Sequence, residues 1–224
     1  MVVLPGSTRS CSGKRRRPAR YYAAAISPAE TRVVLALAEI FYSIQGEGTW
    51  TGTPAVFVRL AGCNLACDFC DTDYAIKRFA GVDEIVAMVR AAGKDCPMVV
   101  LTGGEPFAQA QTSALIDALL RDGRRVHVES NGTIFTELPA GVWLCVSPKR
   151  RVDARMAQRA DEAKLIVDRR VPEEHLALFG DKPTILLQPE GNKPQNVALA
   201  LDYVKAHPQR FRLSLQTHKF IGVP

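Results

Sequence analysis

No apolar run in this 224-residue chain approaches the ~20 residues that cross a bilayer, so no membrane span is expected. Aromatic residues make up only 7% of positions, and none of the basic stretches interleaves with them as a nucleic-acid-binding face would. A secretory signal fits poorly as well. The apolar stretch Val33–Ala38 is short and runs straight into a strand-like segment, so the cytoplasm is the expected compartment and a disulfide framework is not. The body contains neither an internal repeat nor a Pro/Gly-rich linker, which favours one domain over residues 36–224.

What is present is the composition of an ordinary globular protein, 47% hydrophobic and 23% charged, with material for one large core. The net charge of +6 is unevenly placed. Residues 1–37 hold seven basic residues (Arg9, Lys14, Arg15, Arg16, Arg17, Arg20, Arg32) against one acidic residue, Glu30, an excess equal to the whole net charge. The body is therefore neutral, and no nucleic-acid partner is expected of it. Residues 1–35, with Pro5, Gly6, Pro18, Pro28 and the arginine cluster, read as a basic, disordered extension. An upstream start codon or a solvated extension accounts for it, with an organellar transit segment or a weak polyanion contact as alternatives.

From about residue 36, short β-rich runs alternate with helical patterns. Strands are expected at Ala38–Ser43, Ala55–Leu60, Met98–Thr102, Arg125–Ser130, Val142–Ser147, Ala163–Val167, Thr184–Gln188 and Arg212–Leu215. Helices are expected at Val82–Ala92, Ala110–Asp122, Pro172–Phe179 and Gln195–Ala206, with Gly123 suited to cap the second. Continuously apolar strands such as Met98–Leu101 fit a parallel sheet covered on both faces, and the alternation makes the fold α/β. In such folds ligands gather at the carboxyl ends of strands. Five clusters fall there: Cys63–Thr72, Thr102–Pro106, Ser130–Thr133, Ser147–Lys149 and Gln188–Glu190. That is the layout of an enzyme.

Of six cysteines, three lie within eight residues as Cys63-Asn-Leu-Ala-Cys67-Asp-Phe-Cys70, a C-x3-C-x2-C array. Disulfides between such close neighbours would be strained. Zinc prefers four closed ligands, and no fourth Cys or His is near in sequence; His127, His175, His207 and His218 are all far downstream. Three thiolates can instead hold three irons of a 4Fe–4S cluster and leave the fourth iron open to a chelating ligand. Cys11, Cys96 and Cys145 read as non-ligands, and His127, within an apolar run, as a satisfied core residue.

The array with Phe69 before its last cysteine, followed one strand later by Gly103-Gly104-Glu105-Pro106, resembles the two defining motifs of the radical SAM superfamily. Finer matches run from about Ala36 to Pro224: Glu39–Gly48, Pro54–Leu65, Cys70–Asp73, Glu129–Thr133, Val146–Lys149 and Leu215–Lys219. They resemble the 7-carboxy-7-deazaguanine synthase family. Some members carry an insertion between the first two cysteines that this chain lacks. The resemblance implies an incomplete, abbreviated (β/α) barrel and a homodimer. The implied reaction is the ring contraction of 6-carboxy-5,6,7,8-tetrahydropterin to 7-carboxy-7-deazaguanine with loss of ammonia, in queuosine (7-deazapurine) biosynthesis. It implies a 4Fe–4S cluster, S-adenosylmethionine (SAM) and Mg²⁺ as cofactors, and an electron donor of flavodoxin or ferredoxin type.

The resemblance also implies residue roles. Cys63, Cys67 and Cys70 would ligate the cluster, and Thr72 would ligate Mg²⁺. Phe69, Cys70, Asp71, Gly104, Glu105, Ser147, Pro148, Lys149, Gln188, Pro189 and Glu190 would contact SAM. Ile44, Gln45, Gly46, Arg59, Thr102 and Pro224 would bind the pterin, Arg59 through the bidentate match of guanidinium to carboxylate. His218 would hydrogen-bond or relay a proton. Position alone gives plainer readings: a turn hydroxyl for Thr72, a surface ion pair for Arg59, strand punctuation for the proline-containing runs, a structural role for His218. Two rivals share part of the pattern. A glycyl-radical activase has the same cysteine spacing but no need of the Gln45–Glu47 segment, Arg59 or Pro224. A zinc-binding, RNA-associated module would use the basic arm. Metal content separates them, at about four irons per chain against about one zinc.

Overall fold

The computed structural model describes residues 34–224. The expected extension lies outside them except for Val34 and Leu35, which belong to the first strand. The described strands are β1 (Val34–Ile44), β2 (Pro54–Leu60), β3 (Arg78–Gly81), β4 (Met98–Gly103), β5 (Arg125–Ser130), β6 (Trp143–Val146), β7 (Glu162–Val167), β8 (Thr184–Pro189) and β9 (Phe211–Leu213). The helices are α1 (Val82–Ala92), α2 (Thr112–Arg121), α3 (Ala154–Arg159), α4 (Pro194–Ala206) and α5 (Thr217–Ile221).

All nine strands form one sheet in the order β3-β1-β2-β4-β5-β6-β7-β8-β9. β1 runs antiparallel to β2 and β3, whereas every pairing from β2 to β9 is parallel. β3 and β9 are unpaired edges, yet side chains of β1 and β8 line the same cavity. The sheet is therefore an open, incomplete (β/α) barrel, as expected.

The core lies between the sheet and its helices. Met98–Leu101 of β4 are buried throughout because both faces are covered. α1 buries Ile85 and Val89 one turn apart, and α2 buries Leu115, Ile116 and Leu119; each such side chain contributes about 1.5–3 kcal/mol by leaving water. Gly123 stops α2 as its sequence position suggested. At φ +79° it takes the left-handed turn that lets its N–H reach Leu120 O (3.0 Å) and the Arg124 N–H reach Leu119 O (3.1 Å).

Some expectations need correction. Pro172–Phe179 is a 3-10 segment, Glu173–Leu178, rather than an α-helix; none of its residues is buried, so no packing face extends it. The last strand is Phe211–Leu213 rather than Arg212–Leu215, since Ser214 and the residues after it turn toward the barrel mouth. Gln188 and Pro189 complete β8 instead of following it. β3 went unseen because four edge residues with exposed Arg78 and Phe79 carry no alternation.

Between the sheet's free edges, the turn after β1 meets the segment after β9 through a few polar contacts. The Gly48 N–H donates to Ser214 Oγ (3.0 Å), the Thr217 N–H to Gly46 O (2.9 Å), and Ser43 Oγ to Pro224 O (3.0 Å). α5, within this segment, buries none of its residues.

Candidate functional site

The carboxyl ends of the parallel strands open into one cavity of about 480 Å³. Every candidate residue named from the sequence lines it except Glu105 and Pro148. The two that do not are buried behind the wall. Glu105, 0% exposed, spends its carboxylate on the protein: Oε1 accepts from Phe107 N–H (3.1 Å) and Ser130 Oγ (2.9 Å), and Oε2 from Asn131 N–H (2.7 Å). Burial raises its pKa against the pull of these bonds.

That carboxylate anchors the cysteine loop at one remove. Asn131, held by Glu105, donates from Nδ2 to Asn64 Oδ1 (3.0 Å), and Asn64 Nδ2 donates to Thr133 Oγ1 (2.7 Å). Gly104 supports the loop from the other side. A Cβ there would stand 2.5 Å from Cys63 Cβ and closer still to Gly62 O. The glycine is thus required by the loop's approach to β4, a reason the sequence reading did not give. Cys63, Cys67 and Cys70 are free thiols on this one loop, which bends at Gly62 (φ +81°) and closes with the Cys70 N–H on Cys67 O (3.1 Å). Three thiols on one partly exposed loop at a cavity rim are a donor set that fits an iron–sulfur cluster with one open iron. Burial raises the Cys63 pKa, so its ligation would release a proton. Thr72 follows between Asp71, which accepts from Lys219 Nζ (2.5 Å), and Asp73, which pairs with Lys77.

The opposite wall is charged. Arg59 stands in register with Glu39 across β1 and β2, and its Nε donates to Glu39 Oε1 (2.6 Å). No other side-chain hydrogen bond of Arg59 is formed among the described residues; it makes the ion pair of its plainer reading and also lines the cavity. Lys149 donates to Ser147 Oγ (2.6 Å) and lies 5.8 Å from the Phe69 ring centre. Burial, with the Lys164 charge added, pulls the Lys149 ammonium down to about 8. The His218 ring covers Gly46, where a Cβ would overlap it, and burial lowers its pKa.

Sequence reasoning missed the centre of the site. Lys164, 5% exposed, donates to Glu47 Oε2 (2.6 Å) and Glu129 Oε2 (2.9 Å). Gln216 Nε2 binds the other Glu47 oxygen at 2.9 Å. Burial would raise the Glu47 carboxyl, but Lys164 outweighs it and holds it at about 2. Glu47 and Glu129 lay inside quoted motifs without a role, and a lysine in the apolar run Ala163–Val167 was the available signal. The reading of His127 also needs correction: it is buried, but neither ring nitrogen has a hydrogen-bond partner. Cys96 fits its plain reading, its thiol facing Pro54 O and Met98 O at 3.3 Å each. Cys11 lies outside the described residues.

The family model described as Radical SAM superfamily matches residues 58–144. A 7-carboxy-7-deazaguanine synthase of Caulobacter vibrioides is 42% identical over 212 residues, 83% of this chain and 97% of the relative. Its counterpart in Burkholderia multivorans is 38% identical over 214 residues, 84% and 99% of the two chains. The crystal structure of QueE from Escherichia coli superposes with a TM-score of 0.73 at 29% identity, covering 83% of this chain and 95% of that one. No helix among the described residues is long and apolar enough to cross a membrane.

Proposed function

Because this chain belongs to the 7-carboxy-7-deazaguanine synthase family of the radical SAM superfamily, we propose that its cavity converts 6-carboxy-5,6,7,8-tetrahydropterin to 7-carboxy-7-deazaguanine with release of ammonia. The reading places the chain in queuosine biosynthesis. The observation that carries it is the convergence of residues from six strands and the cysteine loop on one cavity. A 4Fe–4S cluster with SAM bound supplies one-electron cleavage of SAM and hence a hydrogen-abstracting radical.

The chain's own residues hold and orient. Cys63, Cys67 and Cys70 take the cluster. Gly104 and Ser147 present close backbone and hydroxyl groups to SAM, with Phe69, Asp71 and Gln188–Glu190 beside them. Lys149 meets the methionyl carboxylate. Glu105 and Pro148 act from behind the wall, Glu105 as a positioning residue through Asn131 and Asn64. Thr72 offers a hard oxygen to Mg²⁺. Ile44, Gln45, Gly46 and Thr102 satisfy the polar edge of the pterin, Arg59 turns its free amino groups to the pterin carboxylate, and Pro224 and His218 close the mouth. The same reading includes an electron donor of flavodoxin or ferredoxin type and assembly as a homodimer.

The test is anaerobic turnover of the reconstituted chain with SAM, Mg²⁺, dithionite and the carboxytetrahydropterin, with product identified by mass spectrometry. Carboxydeazaguanine is expected, and Cys67→Ala should abolish it. Absence of product from a chain holding about four irons would refute the pterin assignment while leaving the superfamily intact.

A pH dependence follows from Lys149. Its ammonium binds a carboxylate only when protonated, so SAM affinity should hold below pH 8 and weaken by up to about tenfold per unit above it. Lys149→Arg, charged throughout, should flatten that limb. Equilibrium binding of SAM from pH 7 to pH 9.5, roughly one unit below to 1.5 above this midpoint, reads the effect. Identical slopes in both proteins would remove Lys149 from the SAM carboxylate.

A further inference from the structure

Below the cavity floor, three side chains with metal-ligating atoms meet inside the barrel. His127 and Glu129 lie two apart on β5, and Cys145 of β6 is the register partner of Glu129. One atom from each (a ring nitrogen, a carboxylate oxygen and the thiol sulfur) lies within 4.8 Å of the other two. A tetrahedral zinc ion with these donors sets them roughly 3.5 Å apart, which small side-chain rotations reach.

An independent observation points to a ligand. His127 is 1% exposed, yet neither of its ring nitrogens has a hydrogen-bond partner, and Nε2 lies 3.5 Å from Glu129 Oε1 within the cluster. Buried imidazoles are ordinarily partnered, so this ring is arranged for something that the protein itself does not supply. Charge agrees: Glu47, Glu129, Asp161 and Glu162 act on these three groups against Lys164, surroundings of net negative charge that favour a cation. Access is through the cavity, which Glu129 lines. Lys164 holds Glu129 Oε2, while Oε1 has long contacts, 3.4 Å from Gln45 Nε2 and 3.5 Å from His127 Nε2.

We propose that His127, Glu129 and Cys145 form a binding site for a thiophilic divalent cation, with zinc as the reference ion, separate from the Cys63–Cys70 loop. The cation displaces the thiol proton to solvent and leaves the Lys164–Glu129 pair in place. The site stands independently of the pterin assignment.

The experiment loads the reconstituted full chain with zinc under anaerobic conditions, removes weakly held metal with a mild chelator, and counts metals by plasma mass spectrometry. The parent should retain about one zinc beside about four irons. Cys145→Ser and His127→Gln should retain zinc at least tenfold less with iron unchanged, the iron count showing that they fold. Failure of the parent to keep zinc, or equal retention by all three, overturns the proposal. A second measurement covers variants that lose iron as well. The full chain carrying Cys11→Ser, Cys63→Ser, Cys67→Ser and Cys70→Ser keeps only Cys96 and Cys145 as thiols. Titrated with Co²⁺, it should develop a thiolate-to-cobalt charge-transfer band that Cys96→Ser leaves and Cys145→Ser removes. No band, or a band lost with Cys96, overturns it equally.

Discussion

Lys164→Met should destabilise the fold by about 3–5 kcal/mol at neutral pH, because it removes one partner from a buried charged cluster and leaves two carboxylates facing each other. Lys164 Nζ is the cation that Glu47 and Glu129 share, at 2.6 and 2.9 Å. A methionine fills the volume but compensates neither charge. The pH dependence should also reverse. In the native protein burial pushes Glu47 up and Lys164 more than reverses it, to about 2 from 4.5. That stability is present above the unfolded value and is lost as pH falls from 4.5 toward 2. In the variant burial alone remains, the folded pKa rises above the unfolded one, and protonation favours folding. Lowering pH from 7 toward 5, above the carboxylates' ordinary range, should therefore narrow the gap between variant and parent. Urea midpoints at the two pH values measure it, and Lys164→Met with Glu129→Gln should recover part of the loss. An unchanged midpoint at neutral pH would mean that the cluster does not carry this energy.

Gly104→Ala should leave a folded protein that cannot hold its iron. A methyl group there would meet Gly62 O and, at 2.5 Å, Cys63 Cβ. Both belong to the start of the cysteine loop, whose register on β4 is also fixed by the Glu105 N–H donating to Gly62 O at 3.0 Å. Backbone cannot yield as a flexible side chain can, so the loop must move and the first thiolate with it. The core should lose only about 1–3 kcal/mol, whereas iron retention should fall about 10–100-fold, the range for displaced supports of metal ligands. Gly180→Ala is the control, since a Cβ there meets nothing within 4 Å. Full iron occupancy in Gly104→Ala, counted after reconstitution and desalting, would show that the loop tolerates the displacement.

These two residues mark the boundary of what the sequence makes legible. β5 and α1 occupy the residues that periodicity predicts, because each is a local pattern with a clear end. The cysteine loop is legible for a different reason: its ligands are neighbours in the chain, so spacing alone carries the chemistry. The Lys164 cluster joins residues 35 and 117 positions apart, and only the order and register of β5, β7 and the turn after β1 bring them together. Glu105 reads as a ligand contact because its motif is visible while its partners, Ser130 and Asn131, are a strand away. Gly104 is singled out by its motif, but the steric demand of the cysteine loop on it is invisible in sequence, since the backbone it must clear belongs to another loop.

The gap between the sheet's free edges sets how the cavity can breathe. The wall there is held by scattered contacts such as Thr217 to Gly46 and Ser43 to Pro224, whereas the remaining wall is a continuous parallel ladder. Opening that seam at α5 exposes no apolar core, because α5 buries none of its residues and the buried groups beside it, Ser214 and Gln216, are polar. Its free energy is therefore set by a few hydrogen bonds and stands well below that of global unfolding. Ligands as large as a pterin and a nucleoside sulfonium can then enter and leave by local fluctuation, while the strands that carry the cysteine loop and Lys164 remain fully paired.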